Sequence, residues 1–170
     1  MGSARPLRPV AAMAELDALE SWAGALLSKL APAVRRSALR EIARELQRSQ
    51  RTRIAQQRNP DGSAYEKRKP RPKHLRDKAG RVKRAAMFAK LRQTRYMRAE
   101  TDALGLAIGF ADRVARVACI HQFGESDRVA PHGPKYKYPA RVLLGFSDAE
   151  REMIRDLLLK HIATQSGHHQ

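Results

Sequence analysis

The stretch Leu104-Gly105-Leu106-Ala107-Ile108-Gly109-Phe110 decides the fold class, because its large and small residues alternate strictly. Alternation with a period of two is typical of a β-strand, whose successive side chains point to opposite faces. We therefore predict a buried strand with one large apolar face and one small face. The glycines of the small face would let another backbone or a helix approach closely.

Two helices are predicted on the N-terminal side of this strand. Apolar residues recur along one helix face from Ala14 to Leu30, and again from Ala33 to about Gln57. Pro32 separates the two helices, since proline fits the first turn of a helix and not its interior. A further short helix is predicted over residues 87–91, leading into a possible strand over residues 95–100.

Two more helices are predicted on the C-terminal side. The first covers residues 114–121 and stops at Gly124, and the second begins behind the capping box of Ser147 and Glu150. Between them, a polar loop over residues 125–138 ends in a short extended stretch. The predicted fold class is α+β: two N-terminal helices, a small antiparallel sheet, a short central helix and a capped C-terminal helix, with a long basic loop.

The length of 170 residues favours one domain with a modest core. We predict that this domain covers residues 13–164, between a disordered extension over residues 1–12 and a disordered tail over residues 165–170. Residues 66–85 are the most basic part of the chain and contain Pro70 and Pro72, which block regular structure. This segment is predicted to be a mobile basic arm.

Charge dominates the composition, because 34 Lys and Arg residues stand against 17 Asp and Glu residues and give a net charge of +17. Such a chain repels itself when compact, so an acidic surface is expected nearby: nucleic acid, an anionic membrane or an acidic protein. No apolar run approaches the roughly 20 residues that cross a bilayer, and no secretory signal is visible. We therefore predict no membrane partner and synthesis in the cytoplasm.

Two groups of basic residues are candidates for contacting an acidic partner or DNA. On the second helix, arginines recur every fourth residue, which is either a solvated face with local ion pairs or a docking face. The basic arm supplies the second group and would bind nucleic acid without sequence preference. The candidates are Arg36, Arg40, Arg44 and Arg48 on the helix, and Lys67, Arg68, Lys69, Arg71, Lys73, Arg81, Lys83 and Arg84 in the arm.

No catalytic chemistry is indicated by the sequence. There is no nucleophile elbow, no phosphate-binding glycine loop and no zinc-ligand spacing, so an enzyme, a cofactor and a metal site are not predicted. The lone Cys119 is flanked by apolar residues and is expected to be a buried, inert thiol. His121 is the one histidine in an ordered apolar context, and a structural role is expected for it rather than a role as a base.

Four stretches of the chain form an ordered set of motifs. In chain order they are Asn59–Tyr65, Met87–Leu91, Ile120–Gly124 and Tyr138–Ser147. Read together, they resemble the phage tail completion proteins, also called the phage virion morphogenesis family of contractile-tailed phages. Their order, the basic stretch between the first two and the N-terminal helices extend the resemblance over Met13–Ala163. The family is related to the head-tail connector proteins, which are small α+β domains.

The resemblance implies a structural protein that completes the head-proximal end of a phage tail and enables head-tail joining. It implies a homo-oligomeric ring, commonly a hexamer, with tail terminator or tube proteins and head connector proteins as partners and DNA in the lumen as a further candidate. The protein would assemble in the host cytoplasm and then lie in the tail or neck of the virion. The alternative is a non-specific nucleic-acid-binding protein acting through the basic arm.

The resemblance also implies roles for residues of the last two stretches. They would form part of the packed core or of subunit contacts, and none would be catalytic. These residues are His121, Gln122, Phe123, Gly124, Pro139, Arg141, Leu144, Gly145 and Phe146.

Overall fold

A computed structural model of the chain describes residues 9–68, 86–103, 105–111, 113–129 and 132–167. The described residues contain four helices and two small antiparallel sheets, which confirms the predicted α+β class. The elements in chain order are α1 (Pro9–Ser28), α2 (Pro32–Ala55), β1 (Met97–Thr101), β2 (Leu106–Phe110), α3 (Arg113–Phe123), β3 (Ser126–Arg128), β4 (Lys135–Lys137) and α4 (Asp148–Gly167).

Both N-terminal helices are present, with shifted bounds. The predicted start at Ala14 is too late, because α1 already begins at Pro9, where the fixed φ of proline suits a first helical turn. The extension predicted over residues 1–12 therefore overlaps α1, and residues 1–8 lie outside the described part. After α2, Gln57 has a φ of 60°, which is incompatible with continuing the helix.

The short helix predicted over residues 87–91 is wrong. The chain makes successive turns there, and Phe88 has a φ of 64°, a left-handed conformation that a right-handed helix does not contain. The strand predicted directly after it is present as β1.

The strand that indicated the fold class is present as β2, but the prediction that it is buried is wrong. Its residues are half-buried or exposed, and Leu104 lies outside the described residues. A Cβ atom added to Gly105 or Gly109 would meet no atom of the described residues within 4 Å. The close approach expected at the small face is therefore not seen among the described residues, in which β2 forms a two-stranded sheet with β1.

A hairpin occupies the segment predicted as a polar loop. β3 and β4 are antiparallel, with Ser126 opposite Lys137 and Asp127 opposite Tyr136. The extended stretch expected at the end of the loop belongs to this hairpin. Cross-strand hydrogen bonding, rather than apolar alternation, defines these strands, and this is why the sequence pattern missed β3.

The start of the C-terminal helix agrees with the prediction, whereas the burial of the cysteine does not. α4 begins at Asp148, directly after the predicted cap residue Ser147. Its end at Gly167 lies inside the tail predicted to be disordered from Gln165 onward. Cys119 is exposed, so the predicted buried thiol is wrong: α3 turns its neighbour Ala118 into the core and Cys119 toward solvent.

Contacts divide the chain into two compact units. The first contains α1, α2 as far as Ile42, and α4. Within it, Glu41 Oε1 accepts a hydrogen bond from Lys160 Nζ at 2.9 Å, and Glu41 Oε2 lies 2.7 Å from His161 Nε2. These bonds lower the pKa of Glu41. Its buried apolar residues are Leu27, Leu30, Ala38, Leu39, Ile42, Ile154 and Leu158.

The second unit contains α2 from Ala43 onward, most of the β1–β2 sheet, α3, the β3–β4 hairpin and the chain up to Ser147. One buried apolar cluster of this unit consists of Ile54, Tyr65, Leu91, Met97, Ala118 and Leu143. This unit holds the candidate site. That residues 13–164 act as one domain remains a prediction.

Candidate functional site

The sequence stretches that carry the resemblance meet inside the second unit. Val142 N donates to Asn59 Oδ1 at 2.9 Å, which joins the first stretch to the fourth. Gln122 joins the third stretch to the fourth, because its Oε1 accepts from Leu143 N at 2.8 Å and from Leu144 N at 3.0 Å. Its Nε2 donates to Leu144 O at 2.8 Å. A single amide side chain thus holds the backbone of Leu143 and Leu144 by three bonds.

Two glycines of these stretches stand where a larger residue would not fit. A Cβ atom on Gly145 would lie 2.8 Å from Cγ of Pro60. Gly124 ends α3 with a φ of 67°, and a Cβ atom there would lie 3.0 Å from the backbone N of Ala140. Glycine tolerates both the left-handed conformation and the close approach. These contacts explain why the motif needs glycine at both positions.

A buried arginine that sequence reasoning missed binds the same backbone from α2. Arg53 Nη1 donates to Val142 O at 3.1 Å, and Nη2 donates to Leu143 O at 3.1 Å and to Gln50 Oε1 at 3.0 Å. Gln50 Nε2 in turn donates to Gly145 O at 2.9 Å. Gln50 and Arg53 are both buried beside the apolar stripe of α2. Their position on the same helix face as Ile54, or next to it, is the sequence signal that could have identified them.

Arg141 is the second buried guanidinium, at 3% exposure. Its Nε donates to Glu66 O at 2.8 Å, and its Nη1 lies 3.1 Å from His121 Nδ1. Because a guanidinium can only donate, His121 Nδ1 accepts, and the neutral ring carries its proton on Nε2. Burial, helped by the charges of Arg141 and Arg68, lowers the pKa of His121 to about 4. His121 is therefore a neutral acceptor at pH 7.

Aromatic rings form a continuous chain beside this arginine. Tyr65 and Phe88 are 5.8 Å apart between ring centroids, Phe88 and His121 are 4.8 Å apart, His121 and Tyr138 are 5.0 Å apart, and Tyr138 and Tyr136 are 4.9 Å apart. Every pair is edge-to-face, the arrangement favoured by the ring quadrupoles. The left-handed Phe88 places its ring between the first and third sequence stretches.

Four of these rings, those of Phe88, His121, Tyr136 and Tyr138, line a cavity of about 380 Å³, which we call the aromatic pocket. Three cations, Lys67, Arg68 and Arg141, lie among apolar walls, and no carboxylate of the described residues lines the pocket. A pocket of this size and composition suits an apolar or aromatic side chain with a carboxylate close by. Its lining residues are Lys67, Arg68, Met87, Phe88, His121, Val129, Tyr136, Tyr138, Pro139 and Arg141.

The predicted motif residues are gathered in this unit, but they differ in burial. Arg141 is buried, whereas Phe123 is 69% exposed and does not belong to the core. The others are half-buried: His121, Gln122, Gly124, Pro139, Leu144, Gly145 and Phe146.

The structure describes only some of the basic residues that were predicted to contact a partner or DNA. Lys67 and Arg68 are exposed and line the aromatic pocket. Four predicted arginines are exposed on α2, namely Arg36, Arg40, Arg44 and Arg48. Arg48 Nη1 lies 3.8 Å from Glu45 Oε2. Six predicted arm residues lie outside the described residues: Lys69, Arg71, Lys73, Arg81, Lys83 and Arg84.

Within the described ranges, no three His, Cys, Asp or Glu side chains gather closely enough to hold a metal ion. The same part of the chain contains no helix that is long and apolar enough to cross a membrane.

Comparisons with known proteins agree with the sequence stretches. The model of the phage virion morphogenesis family matches residues 14–163. The chain is 36% identical over 152 residues to tail completion protein S of Escherichia phage P2, and this match covers 88% of the chain and 99% of the relative. No solved structure matches the chain.

Proposed function

Because the chain belongs to the phage virion morphogenesis family, we propose that it completes the head-proximal end of a contractile-type tail and creates the surface to which a filled head attaches. The observation that carries this proposal is the match to a tail completion protein over 99% of that relative. The meeting of all the resembling stretches in one unit gives the match a structural basis.

The proposed work is mechanical. Arg53 and Gln122 hold the backbone of residues 142–144 by hydrogen bonds, and Arg141 joins the same segment to Glu66 O, which gives a rigid platform for docking. Lys67 and Arg68 add positive charge to that unit. A rigid and positively charged surface suits the acidic face of a neighbouring protein, because complementary charge directs association and orientation.

We place the protein in a closed homo-oligomeric ring, commonly of six subunits, at the neck of the virion. A ring distributes positive charge around an axis, which fits an adjoining acidic ring of tail terminator, tube or head connector subunits, and also fits DNA in the lumen. Assembly would take place in the host cytoplasm before the ring becomes part of the tail. No catalytic step enters this proposal.

Electron microscopy of lysates tests the role directly. A phage carrying a nonsense mutation in this gene is expected to leave DNA-filled heads and finished-length tails unjoined. Supplying the gene from a plasmid should restore joined particles, which controls for effects on neighbouring genes. Intact joined particles in the uncomplemented mutant would contradict the proposal.

The contribution of the basic arm can be tested by one combined variant. Replacing Lys67, Arg68, Lys69, Arg71 and Lys73 with alanine is expected to leave folding intact and to abolish joining, because the positive charge for docking is lost. A matched variant that exchanges lysine for arginine and arginine for lysine at the same positions keeps the charge and should join heads to tails. Normal particle yield from the alanine variant would count against the arm as a docking element.

The second candidate function is non-specific nucleic-acid binding, which the charge of +17 favours. Gel filtration with light scattering at low and high salt separates the two. A monomer that shifts only when DNA is added, and loses DNA steeply as salt rises, favours this second function. A discrete ring in the absence of DNA favours the tail completion role.

A further inference from the structure

Phe123 is a large apolar side chain that the second unit does not bury. It is the last residue of α3 and is 69% exposed. Glu125, two residues later, is also exposed and brings a carboxylate to the same turn. A single exposed apolar side chain is ordinary on a protein surface, so Phe123 indicates a contact site only if a complementary cavity exists.

The aromatic pocket has the complementary properties. Its rings offer edges and faces to an aromatic side chain, and its cations offer partners to a carboxylate. His121 contributes a neutral ring, so it does not oppose the burial of an apolar group. Val129, at 61% exposure, gives the pocket an apolar wall that faces solvent.

Phe123 does not fill the pocket of its own chain. Residues two apart on an α-helix differ in direction by about 200°. His121 lines the pocket, and Phe123 therefore projects from nearly the opposite side of α3. The cavity and the side chain that suits it face different directions on one molecule.

We propose that Phe123 of one copy inserts into the aromatic pocket of the next copy, with Glu125 of the first facing Lys67 and Arg68 of the second. This contact deepens the proposed function, on which it rests, by assigning the surfaces that build the ring. It joins two different patches, so it is a head-to-tail contact that generates a ring when the rotation closes. The acid–base pairing also offsets the repulsion between two strongly positive chains.

A mixing experiment on the full chain tests the contact. Phe123→Ser removes the inserted side chain and leaves the pocket, whereas Val129→Asp damages the pocket and leaves Phe123. Each variant alone is expected to be a monomer by light scattering, while the wild type assembles. Mixed together, the two should form a dimer of one copy each, because only one intact contact can form between them.

Leu159→Ser is the matched control, because Leu159 is also an exposed apolar residue, at 48%, and lies outside this contact on α4. It is expected to assemble like the wild type. Assembly by either single variant, or no dimer in the mixture, would overturn the proposal. A wild type that remains monomeric at about 1 mM would overturn it too, since a contact that builds a ring must be occupied at that concentration.

Charge exchange tests the pairing of Glu125 with Arg68. Glu125→Arg and Arg68→Glu are each expected to weaken self-association at least about tenfold, and the double variant should recover most of that loss. A double variant that is no better than the worse single variant would refute this pairing.

The results also separate this contact from the proposed function. Dimer formation in the mixture, together with normal joining in the nonsense mutant, would retain the contact and reject the tail completion role. Failed joining in the nonsense mutant, together with a monomeric wild type, would retain the role and reject the contact. A monomer that binds an acidic peptide containing phenylalanine would assign the pocket to another protein and would likewise overturn the proposal.

Discussion

His121 shows how one side chain links the sequence motif to the packed unit. Its ring contacts Phe88 and Tyr138 on either side, its Nδ1 accepts from Arg141, and its carbonyl oxygen accepts from Arg141 N at 2.6 Å. Protonation of Nδ1 would replace an acceptor by a second donor facing a guanidinium. The neutral state of His121 is therefore part of the fold.

We expect the free energy of unfolding to fall as the pH drops from about 6.5 toward 4. The pKa of His121 is about 4 in the folded chain and 6.5 as its ordinary value, so the unfolded chain binds the proton more readily. The stability that the neutral ring contributes is complete above pH 6.5 and is lost as the pH falls through the folded pKa. Urea unfolding at pH 7 and pH 4.5 measures this difference.

The control for this prediction is His121→Asn, which keeps an oxygen acceptor for Arg141 but does not titrate. Its stability difference between pH 7 and pH 4.5 should be smaller than that of the wild type. An unchanged difference would show that other groups, such as the Glu41 pair with Lys160 and His161, carry the acid sensitivity.

At Gly124, both the backbone conformation and the packing require glycine. Gly124→Ala is expected to destabilise the protein by about 1–3 kcal/mol, because alanine is strained at a φ of 67° and its Cβ would crowd Ala140. Gly24→Ala is the matched control on α1, where a Cβ would meet no described atom within 4 Å. It should stabilise by about 0.5–1 kcal/mol. Equal effects in chemical denaturation would contradict the prediction.

Helix α2 supports the site through polar side chains at its C-terminal end. Arg53 and Gln50 reach three carbonyl groups of residues 142–145, and Gln57, two residues beyond the helix, donates through Nε2 to Met87 O at 3.0 Å. These bonds connect the end of the helix to loops that lie outside the regular helices and strands. The motif loops thus depend on α2 for their shape.

Arg53→Met tests this dependence. Methionine preserves much of the side-chain volume but removes the guanidinium donors to Val142 O and Leu143 O, and Val142 O keeps the long bond from Tyr65 Oη at 3.4 Å. We therefore expect a loss of about 1.5–3 kcal/mol. Arg58→Met is the control, since Arg58 is exposed and donates to Gly62 O at 2.9 Å, and it should change stability by less than about 0.5 kcal/mol. Thermal unfolding of both variants gives the comparison, and equal losses would reject the special role of Arg53.

The charge of +17 opposes association between copies of the whole chain. The ring that we propose would therefore combine apolar insertion with acid–base pairs, and an acidic neighbour or DNA would reduce the remaining repulsion. This balance is one reason for our proposal that the protein assembles beside its partner at the neck. It also explains why the rival nucleic-acid function shares the same basic residues and has to be separated by experiment.

The sequence by itself determined the α+β class, all four helices, the strand at β2 and the family. These features depend on the spacing of apolar residues, on helix stops such as Gly124 and on the order of short motifs. Residues close together in the sequence suffice to define each of them. The prediction for residues 87–91 was wrong because Phe88 adopts a left-handed conformation among distant aromatic rings. No local pattern distinguishes that conformation from a helical turn.

Only the tertiary structure decided how the motif residues are used. It buried Arg53 and Arg141 against carbonyl groups far along the chain, exposed Cys119 and Phe123, and built the aromatic pocket. The physical reason is that burial and hydrogen-bond partners are properties of residues that meet across the fold, such as Arg53 with Leu143, which are 90 positions apart. Periodicity reports which face of an element is apolar, whereas packing determines what that face meets.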